Sequence, residues 1–476
     1  MRYTCILCVS VAACLSWPVV WSAAAYADLG DQLFKLLPDD GAAQPEFGIS
    51  VAISGDTAIV GASGHDDDDN GNDSGSAYLF DTTTGRQIAK LLANDGASGD
   101  NFGGSVAISG VTAIVGANGN DDGGMDSGSA YLFDTTTGKQ IAKLLPDDGA
   151  AEDFFGTAVA ICGPPGKEIT IVGSIYDDDN GSNSGSAYLF DTTSGLQIAK
   201  LLPNDGSAGD NFGRSVAISG CPGKEVAIVG APFDDDNGFW SGSAYLFDIA
   251  TGSQIAKLLP DDGADYDRFG YSVAISGAPG NETAIVGASH DDDNGHWSGS
   301  AYLFDISDPA NPTQLFKLLP DDGAAEDLFG FRVGISGATA IVGGVGVDDN
   351  GFQSGSAYLF DTITGQQIAK LLPDDGTAYD YFGWSVAISG ATEKQTAIVG
   401  ALFDDDNGSN SGSAYLFDAS FCPWDIDDNA VVGVSDLLSM LASWGPCKGC
   451  PADFDGNDDV DVSDFLALLA HWGPCL

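Results

Sequence analysis

Carboxylates set at ligand spacing are the first chemistry this sequence offers. Two segments near the C-terminus, CPWDIDDNAVVGVSDLLSMLASWGPC from Cys422 and CPADFDGNDDVDVSDFLALLAHWGPC from Cys450, place oxygen-bearing side chains around a short loop that runs into an apolar stretch. The first offers Asp425, Asp427, Asn429, the Val431 carbonyl and Asp436. The second offers Asp453, Asp455, Asn457, the Asp459 carbonyl, Asp461 and Asp464. Hard calcium ions favour oxygen ligands spaced around a loop that leads into a helix. Acidic turns that merely precede helices are the alternative, and the recurrence of the pattern in register favours calcium.

A second acidic set recurs along the rest of the chain. One series reads Asp66 to Asn70-Gly71, Asp121-Asp122-Gly123, Asp177 to Asn180, Asp234 to Asn237, Asp291 to Asn294, Asp348 to Asn350 and Asp404 to Asn407. The other is PDDGA, as at Asp147-Asp148. Asp, Asn and Gly are turn formers, since Asp and Asn cap their own backbone and Gly takes positive φ. Three consecutive aspartates exceed what a turn requires, so both turn chemistry and recruitment of divalent cations stay open.

The elements that carry these loops repeat. Phe-Gly pairs begin at Phe47, Phe102, Phe155, Phe212, Phe269, Phe329 and Phe382, and each opens four short segments. In the second copy these are FGGSVAISG, TAIVGA, SGSAYLFD and QIAKLLPDDGA. Their β-branched and aromatic content and shortness predict four strands per repeat. Four-stranded repeats at this period are the signature of propeller blades, with a solenoid as the alternative. The last repeat lacks the fourth segment, while Asp31 to Asp40 is an orphan copy of it. The spacing therefore predicts a mainly β, seven-bladed β-propeller closed by its N-terminal strand, leaving no strand edge open at the seam. The loop between strands two and three and the link from strand four to the next blade then share one face.

Aromatic residues break the symmetry in blades four to seven. Phe239, Trp240, Trp297 and Phe352 stand in acidic loops, Tyr266, Tyr379 and Tyr381 in links, and Tyr271, Phe331 and Trp384 just after Phe-Gly. They read either as a platform for a protein or glycan ligand or as inter-blade packing. An enzyme centre needs one placed base or nucleophile. The histidines are His65, His290, His296 and His471; the first two read as equivalent loop positions before aspartates, and no nucleophile motif accompanies them. The expectation is a protein that is not an enzyme.

The chain's 476 residues carry 69 acidic and 17 basic side chains, a formal net charge of −52. That balance excludes a nucleic-acid binder, which needs clustered Lys and Arg. Residues 1–27, with Arg2, an apolar run and Ala25-Tyr26-Ala27, read as a signal peptide cleaved after Ala27, and hence as secreted or cell-surface localisation. Lipidation at Cys14 is the weaker alternative. No later stretch is apolar and long enough for a membrane span. Cys422, Cys447, Cys450 and Cys475 read as a disulfide-stapled module, with zinc as the rival. Cys162 and Cys221 read equally as thiols or as a bridge.

The Phe-Gly starts and the Gly-Ala endings of the second segment, with one full Gly230-Ala231-Pro232, resemble the FG-GAP repeats of integrin-α-type β-propellers across residues 28–421. The calcium loop of that family lies between the first and second strands. Here that position holds brief turns such as Ser54-Gly55-Asp56-Thr57, so calcium does not carry over to it. The C-terminal tandem, residues 422–476, resembles a type I dockerin, a small α-helical tandem calcium-loop domain. That resemblance implies calcium as cofactor, a cohesin-type protein as partner and Val434, Ser435, Val462 and Ser463 as the partner-facing positions. Ala430 and Asp458 replace the usual loop glycine, and the four cysteines depart from the pattern. Helix packing is expected through Leu437, Leu438, Leu441 and Trp444, and through Phe465, Leu466, Leu469 and Trp472. Together these features predict an exported binding or adhesion protein. A subunit of a polysaccharide-degrading assembly and a structural surface protein are the alternatives.

Overall fold

In the computed structural model the described residues are 29–41, 46–66, 71–219, 226–278, 281–391, 394–422, 424–426, 431–447, 450–454, 457 and 459–474. The leader, Cys14, Cys221, Asp427, Asn429, Ala430, Asp455, Asp458 and Cys475 lie outside them.

Seven antiparallel four-stranded sheets follow one another along the chain. Blades I to VI span residues 47–91, 102–144, 155–201, 215–258, 269–318 and 329–371. Blade VII takes three strands from Phe382–Ala391, Lys394–Ala401 and Ser413–Asp418, and its fourth from Gln32–Leu36. That N-terminal strand pairs antiparallel with Ser413–Asp418, with Lys35 opposite Tyr415 and Leu36 opposite Ala414. The N-terminal strand closure is therefore present. Phe47 N donates to Ser411 O at 3.2 Å and Ser385 Oγ to Gly48 O at 2.7 Å across the same seam.

Burial explains the strand sequences. In blade II the third strand, Ser129–Asp134, is buried along Ser-Ala-Tyr-Leu-Phe, and the second, Thr112–Ala117, is buried throughout. Both faces of these strands pack against neighbouring blades, which is why they read as continuous apolar runs. The fourth strand lies at the rim and leaves Ile141 half exposed. Each core cluster of the propeller joins two blades: Ile59 and Leu79 of blade I pack with Phe102, Val106, Val115 and Tyr131 of blade II. The Phe of each Phe-Gly pair sits edge-on to two rings of its own blade, as Phe155 does to Tyr188 and Phe190 at 5.5 and 5.8 Å. The glycine of TAIVGA permits this approach: a Cβ on Gly116 would lie 2.1 Å from Gly156 O of the next blade.

The tail holds two nine-residue helices, α1 (Val434–Ala442) and α2 (Val462–Ala470). Val431 and Val432 pair with Pro474 and Gly473, and Gly445 and Pro446 pair with Val460 and Asp459. Each Trp-Gly-Pro ending thus seals the loop of the other half. The core is Val432, Met440, Ala452, Val460 and Leu468, with Leu437 and Phe465 packed against it. This corrects the expected packing: Leu438, Leu441, Trp444, Leu466, Leu469 and Trp472 are all exposed. Cys447 bonds to Cys450, and Cys422 is also in a disulfide, so these three thiols are taken by disulfides rather than by zinc.

Candidate functional site

The acidic loops are organised around lysines. The Lys of each fourth strand lies beneath the loop face, where the acidic loop of its own blade meets the link from the blade before. Lys200 sits 2.8 Å from Asp148 of the link, 2.8 Å from Asp177 and 2.7 Å from Asp179 of the loop. Lys257 and Lys317 repeat the arrangement with Asp205, Asp234 and Asp236, and with Asp262, Asp291 and Asp293. Lys35 carries it across the closing seam to Asp375, Asp404 and Asp406. The blade tyrosine completes the cage, with Tyr188 Oη bonded to Asp148 at 3.0 Å and Asp177 at 2.9 Å and its ring under the ammonium.

Each of the three consecutive aspartates has its own task. Asp177 Oδ1 accepts from Asp179 N, Asp178 Oδ1 accepts from Asn183 N, and Asp179 binds Lys200. Turn chemistry accounts for two of these bonds and the lysine for the rest. Burial alone would lower the Lys200 ammonium, but Asp148, Asp177 and Asp179 outweigh it and hold the group above the usual lysine range. Burial opposes ionisation of Asp148, yet Lys200 keeps that carboxyl below its usual range.

The innermost loop position varies. Its carbonyl accepts from the glycine of SGSAY in every blade, which aligns His65, Asn120, Asp177, Asp234, Asp291, Val347 and Asp404. His65 therefore replaces the first aspartate, whereas His290 precedes Asp291. The expected equivalence of the two histidines does not hold, because His65, like Asp291, lies three residues past the end of the second strand, whereas His290 lies two past it. In blade I, Lys90 binds Asp40 at 2.7 Å. In blade VI, Lys370 binds Asp322 at 2.5 Å and also Asp349.

A second buried carboxylate precedes Phe-Gly in six blades: Asp100, Asp153, Asp210, Asp267, Asp327 and Asp380. Asp267 Oδ2 accepts from Ala264 N at 2.7 Å. Burial, reinforced by the nearby charge of Asp291, pushes Asp267 up to about 7, and the same environment pushes Asp210 up to about 6. A carboxyl raised on folding stabilises the fold below its unfolded value, and that contribution fades as pH rises through about 7. Asp267→Asn keeps an acceptor for Ala264 N. It is expected to gain about 2 kcal/mol at pH 8 relative to wild type and nothing at pH 4. Denaturant melts at both pH values check this, and parallel curves for the two proteins refute it.

The loop aromatics form separate clusters on one backbone frame. Phe239 stacks on Trp240 at 4.7 Å, and Tyr266 stands edge-on to both. Trp297 contacts His296 and His290, and Phe352 contacts Tyr379 at 5.5 Å. Of the symmetry-breaking aromatics, Phe239, Trp240, Tyr266, Trp297, Phe352 and Tyr379 are substantially exposed, Phe352 at 52% and Tyr379 at 56%, whereas Phe331 is buried. The structure brings them to the loop face but not into one continuous sheet of rings. Trp240 and Trp297 have φ of 55° and 56°, at the position where the other blades place Asp73, Asp126, Asn183, Gln353 and Asn410. Asn and Asp tolerate this left-handed region, whereas a bulky ring is strained there.

In the tail, Asp436 Oδ1 accepts from Ile426 N at 2.8 Å and Oδ2 from Gly433 N at 2.7 Å. Asp464 does the same with Phe454 N and Asp461 N. Asp425, Asp436, Asp453 and Asp464 are all buried. Asp453 Oδ1 accepts from Asn457 N and Asn457 Oδ1 from Asp459 N, while Asp461 caps α2 through Ser463 N. Residues 422–476 contain ten aspartates and a single lysine, Lys448, and the side chains at the loop positions offer oxygen donors, the class a hard cation takes. Among the described residues no three His, Cys, Asp or Glu side chains are arranged to hold a metal ion, and Asp427, Asn429 and Asp455 lie outside them. Val434 and Val462 are exposed at the helix starts, beside Ser435 and Ser463. No helix among the described residues is long and apolar enough to cross a membrane.

The caging lysines escaped the sequence reading, although a signal was present: one lysine recurs at the same register in all seven copies of the fourth segment. Comparison with curated proteins gave no match. The FG-GAP repeat model matches residues 31–80, 86–133, 139–190, 196–247, 253–304, 312–360 and 366–417. Each matched unit runs from the fourth strand of one blade to the third of the next, so it holds the carboxylates of one cage and the lysine of the cage before it. With seven such units over most of its length, the chain belongs to the FG-GAP repeat family.

Proposed function

We propose that the protein is an exported, non-catalytic binding protein. The loop face of blades IV to VII takes an extracellular glycan or protein ligand, and the tail binds calcium and docks onto a cohesin-type partner. The FG-GAP propeller is consistent with a non-enzymatic binding or adhesion role. The observation that carries the reading is the pair Trp240 and Trp297: large exposed rings held on left-handed backbone where Asp or Asn is the relaxed choice. Strain kept at an exposed aromatic is a cost to folding that recognition explains. For the tail, support comes from two matching exposed stripes: Val434, Leu438 and Leu441 on α1 with Trp444 just beyond it, and Val462, Leu466 and Leu469 on α2 with Trp472 just beyond it. Helices apolar on both sides have a second partner to meet.

The test replaces each tryptophan by the residue its backbone prefers. Trp240→Asn and Trp297→Asn are expected to leave stability unchanged or raise it by up to about 1 kcal/mol. Both are expected to abolish retention on a panel of immobilised polysaccharides and extracellular proteins. Loss of stability with unchanged retention would make the rings packing elements. Release of reducing ends from the panel would replace this reading with the polysaccharide-active alternative.

A further inference from the structure

Three of the chain's five arginines, Arg214, Arg268 and Arg332, gather where the first strands of blades IV to VI begin. Arg214 donates to Tyr271 Oη at 3.0 Å and its guanidinium lies 4.9 Å from that ring centre. Arg332 stacks on Phe331 at 4.8 Å and on Tyr271 at 5.6 Å, and donates to the Phe331 carbonyl. Arg268 lies over Phe233 and Trp240, at 5.5 and 6.0 Å. Burial opposes ionisation of the Tyr271 hydroxyl, but the charges of Arg214, Arg332 and Arg268 together draw it below the usual tyrosine range. Four rings continue the arc: Phe331 contacts Trp384 at 5.0 Å, and Trp384 contacts Tyr381 and Phe403.

What sets this cluster apart is the missing counter-charge. The chain carries 69 carboxylate side chains, and the caged lysines have up to three each, yet none of the three arginines has a carboxylate within salt-bridge distance among the described residues. The Arg268 Nε is buried without a hydrogen-bond partner. Guanidiniums stacked on rings keep their in-plane donors available, and those donors match a planar oxyanion in a two-point grip. The equivalent positions after Phe-Gly in blades I to III are Ile49, Gly104 and Thr157, so rings and charge occupy only one side of the ring of first strands. At physiological salt the screening length is about 8 Å, which confines the repulsion of distant loop carboxylates and lets local positive charge decide.

We propose that this cluster is a binding site for an acidic sugar, one that bears a carboxylate or sulfate ester on a pyranose ring. The anion seats on Arg214, Arg268 and Arg332, and the ring face packs on Trp384, which the buried Phe331 supports. This rests on the binding reading above and names the ligand class. The line from Phe239 and Trp240 through Arg268 to Tyr271, Phe331 and Trp384 favours a chain of ring units over a compact protein surface.

Titration of the full chain with inorganic sulfate, read by tryptophan fluorescence, tests the anion site by itself. Sulfate is expected to bind, and Arg214→Gln and Arg332→Gln each to weaken it roughly tenfold to a hundredfold. Arg332→Lys, which keeps charge but loses the planar fork, is expected to fall between; it also serves where the Gln variant fails to fold. Polygalacturonate, a sulfated galactan and neutral dextran then separate the sources. Tight binding of either acidic polymer with no binding of dextran supports the proposal, and the tighter of the two names the oxyanion. Sulfate binding that the arginine variants leave unchanged overturns the site. Equal binding of dextran overturns the site while leaving glycan recognition standing. Sulfate binding with retention only of oligoglutamate overturns the sugar and points to an acidic peptide.

Discussion

Lys200→Met is expected to destabilise the propeller by about 3 kcal/mol at pH 7. Methionine nearly matches the volume of lysine and keeps the chain over the Tyr188 ring, so the effect isolates the charge. What remains is Asp177, 5% exposed, facing Asp148 and Asp179 with no cation between them. Removing one partner of a buried ion pair costs about 3–5 kcal/mol because it strands the other charge. The two outer carboxylates are about half exposed, and solvent screens them, which places the expectation at the lower end. The pH dependence should invert. In the wild type the Asp148 carboxyl lies below its usual range, so its contribution is present above about pH 4 and is lost on acidification. In the variant the stranded carboxylates take up protons more readily than in the unfolded chain, so stability rises as pH falls from 7 toward 4. Lys139→Met, an exposed lysine in a neighbouring blade, is the control and should stay within about 0.5 kcal/mol. A Lys200→Met loss below 1 kcal/mol, with an unchanged pH profile, would show that the cages are ornaments of an acidic surface.

The seven cages also revise what the composition implies. A net charge of −52 reads as one strongly negative face, but the loop and link carboxylates are partly neutralised in place by lysines that arrive from the blade's own rim strand. The fold was legible because its evidence is local. Alternating and continuous apolar runs mark the strands, and the displaced copy of the fourth segment at Gln32–Leu36 marks the closure. The cages were not legible because their evidence is tertiary. Lys200 meets Asp177 because adjacent strands bring residues 23 apart in sequence together, and it meets Asp148, 52 residues earlier, because the link belongs to the preceding blade. His65 was misplaced for a related reason: the backbone bond from Gly75, not the run of aspartates, fixes the register of the first loop.

The tail shows the limit of periodicity. Both helices are apolar around most of their circumference, so the stripe through Leu437 and Met440 and the stripe through Leu438 and Leu441 are equally good on paper. The pairing of each Trp-Gly-Pro with the opposite loop decides between them. It turns Met440 and Leu468 inward and leaves Leu438, Leu441, Leu466 and Leu469 at the surface.

Chelating calcium from the full chain is expected to unfold the tail and leave the propeller folded. Asp425 and Asp436 are buried in the first half and Asp453 and Asp464 in the second, and Asp436, Asp453 and Asp464 hold their loops by backbone amides. Without a cation, the segment sets ten aspartates against one lysine in its sequence. The favourable backbone bonds to Asp436 and Asp464 then work against a desolvation cost of several kcal/mol per ion. At a calcium concentration a thousand times its dissociation constant, binding adds about 4 kcal/mol, comparable to the whole stability of so small a core. The signal is built in: Trp424 stacks on His471 with ring centres 3.3 Å apart, joining the first loop to the end of α2, and this contact is lost when either loop opens. Tryptophan fluorescence and near-ultraviolet dichroism of the full chain, followed on addition of chelator and then of excess calcium, should report a reversible change. Asp436→Asn and Asp464→Asn each keep acceptors for the amides but remove a charge, and each is expected to raise the calcium midpoint at least tenfold. A spectrum indifferent to chelator in the wild type would mean that the loops fold without metal, and the calcium-dependent tether would fall with it.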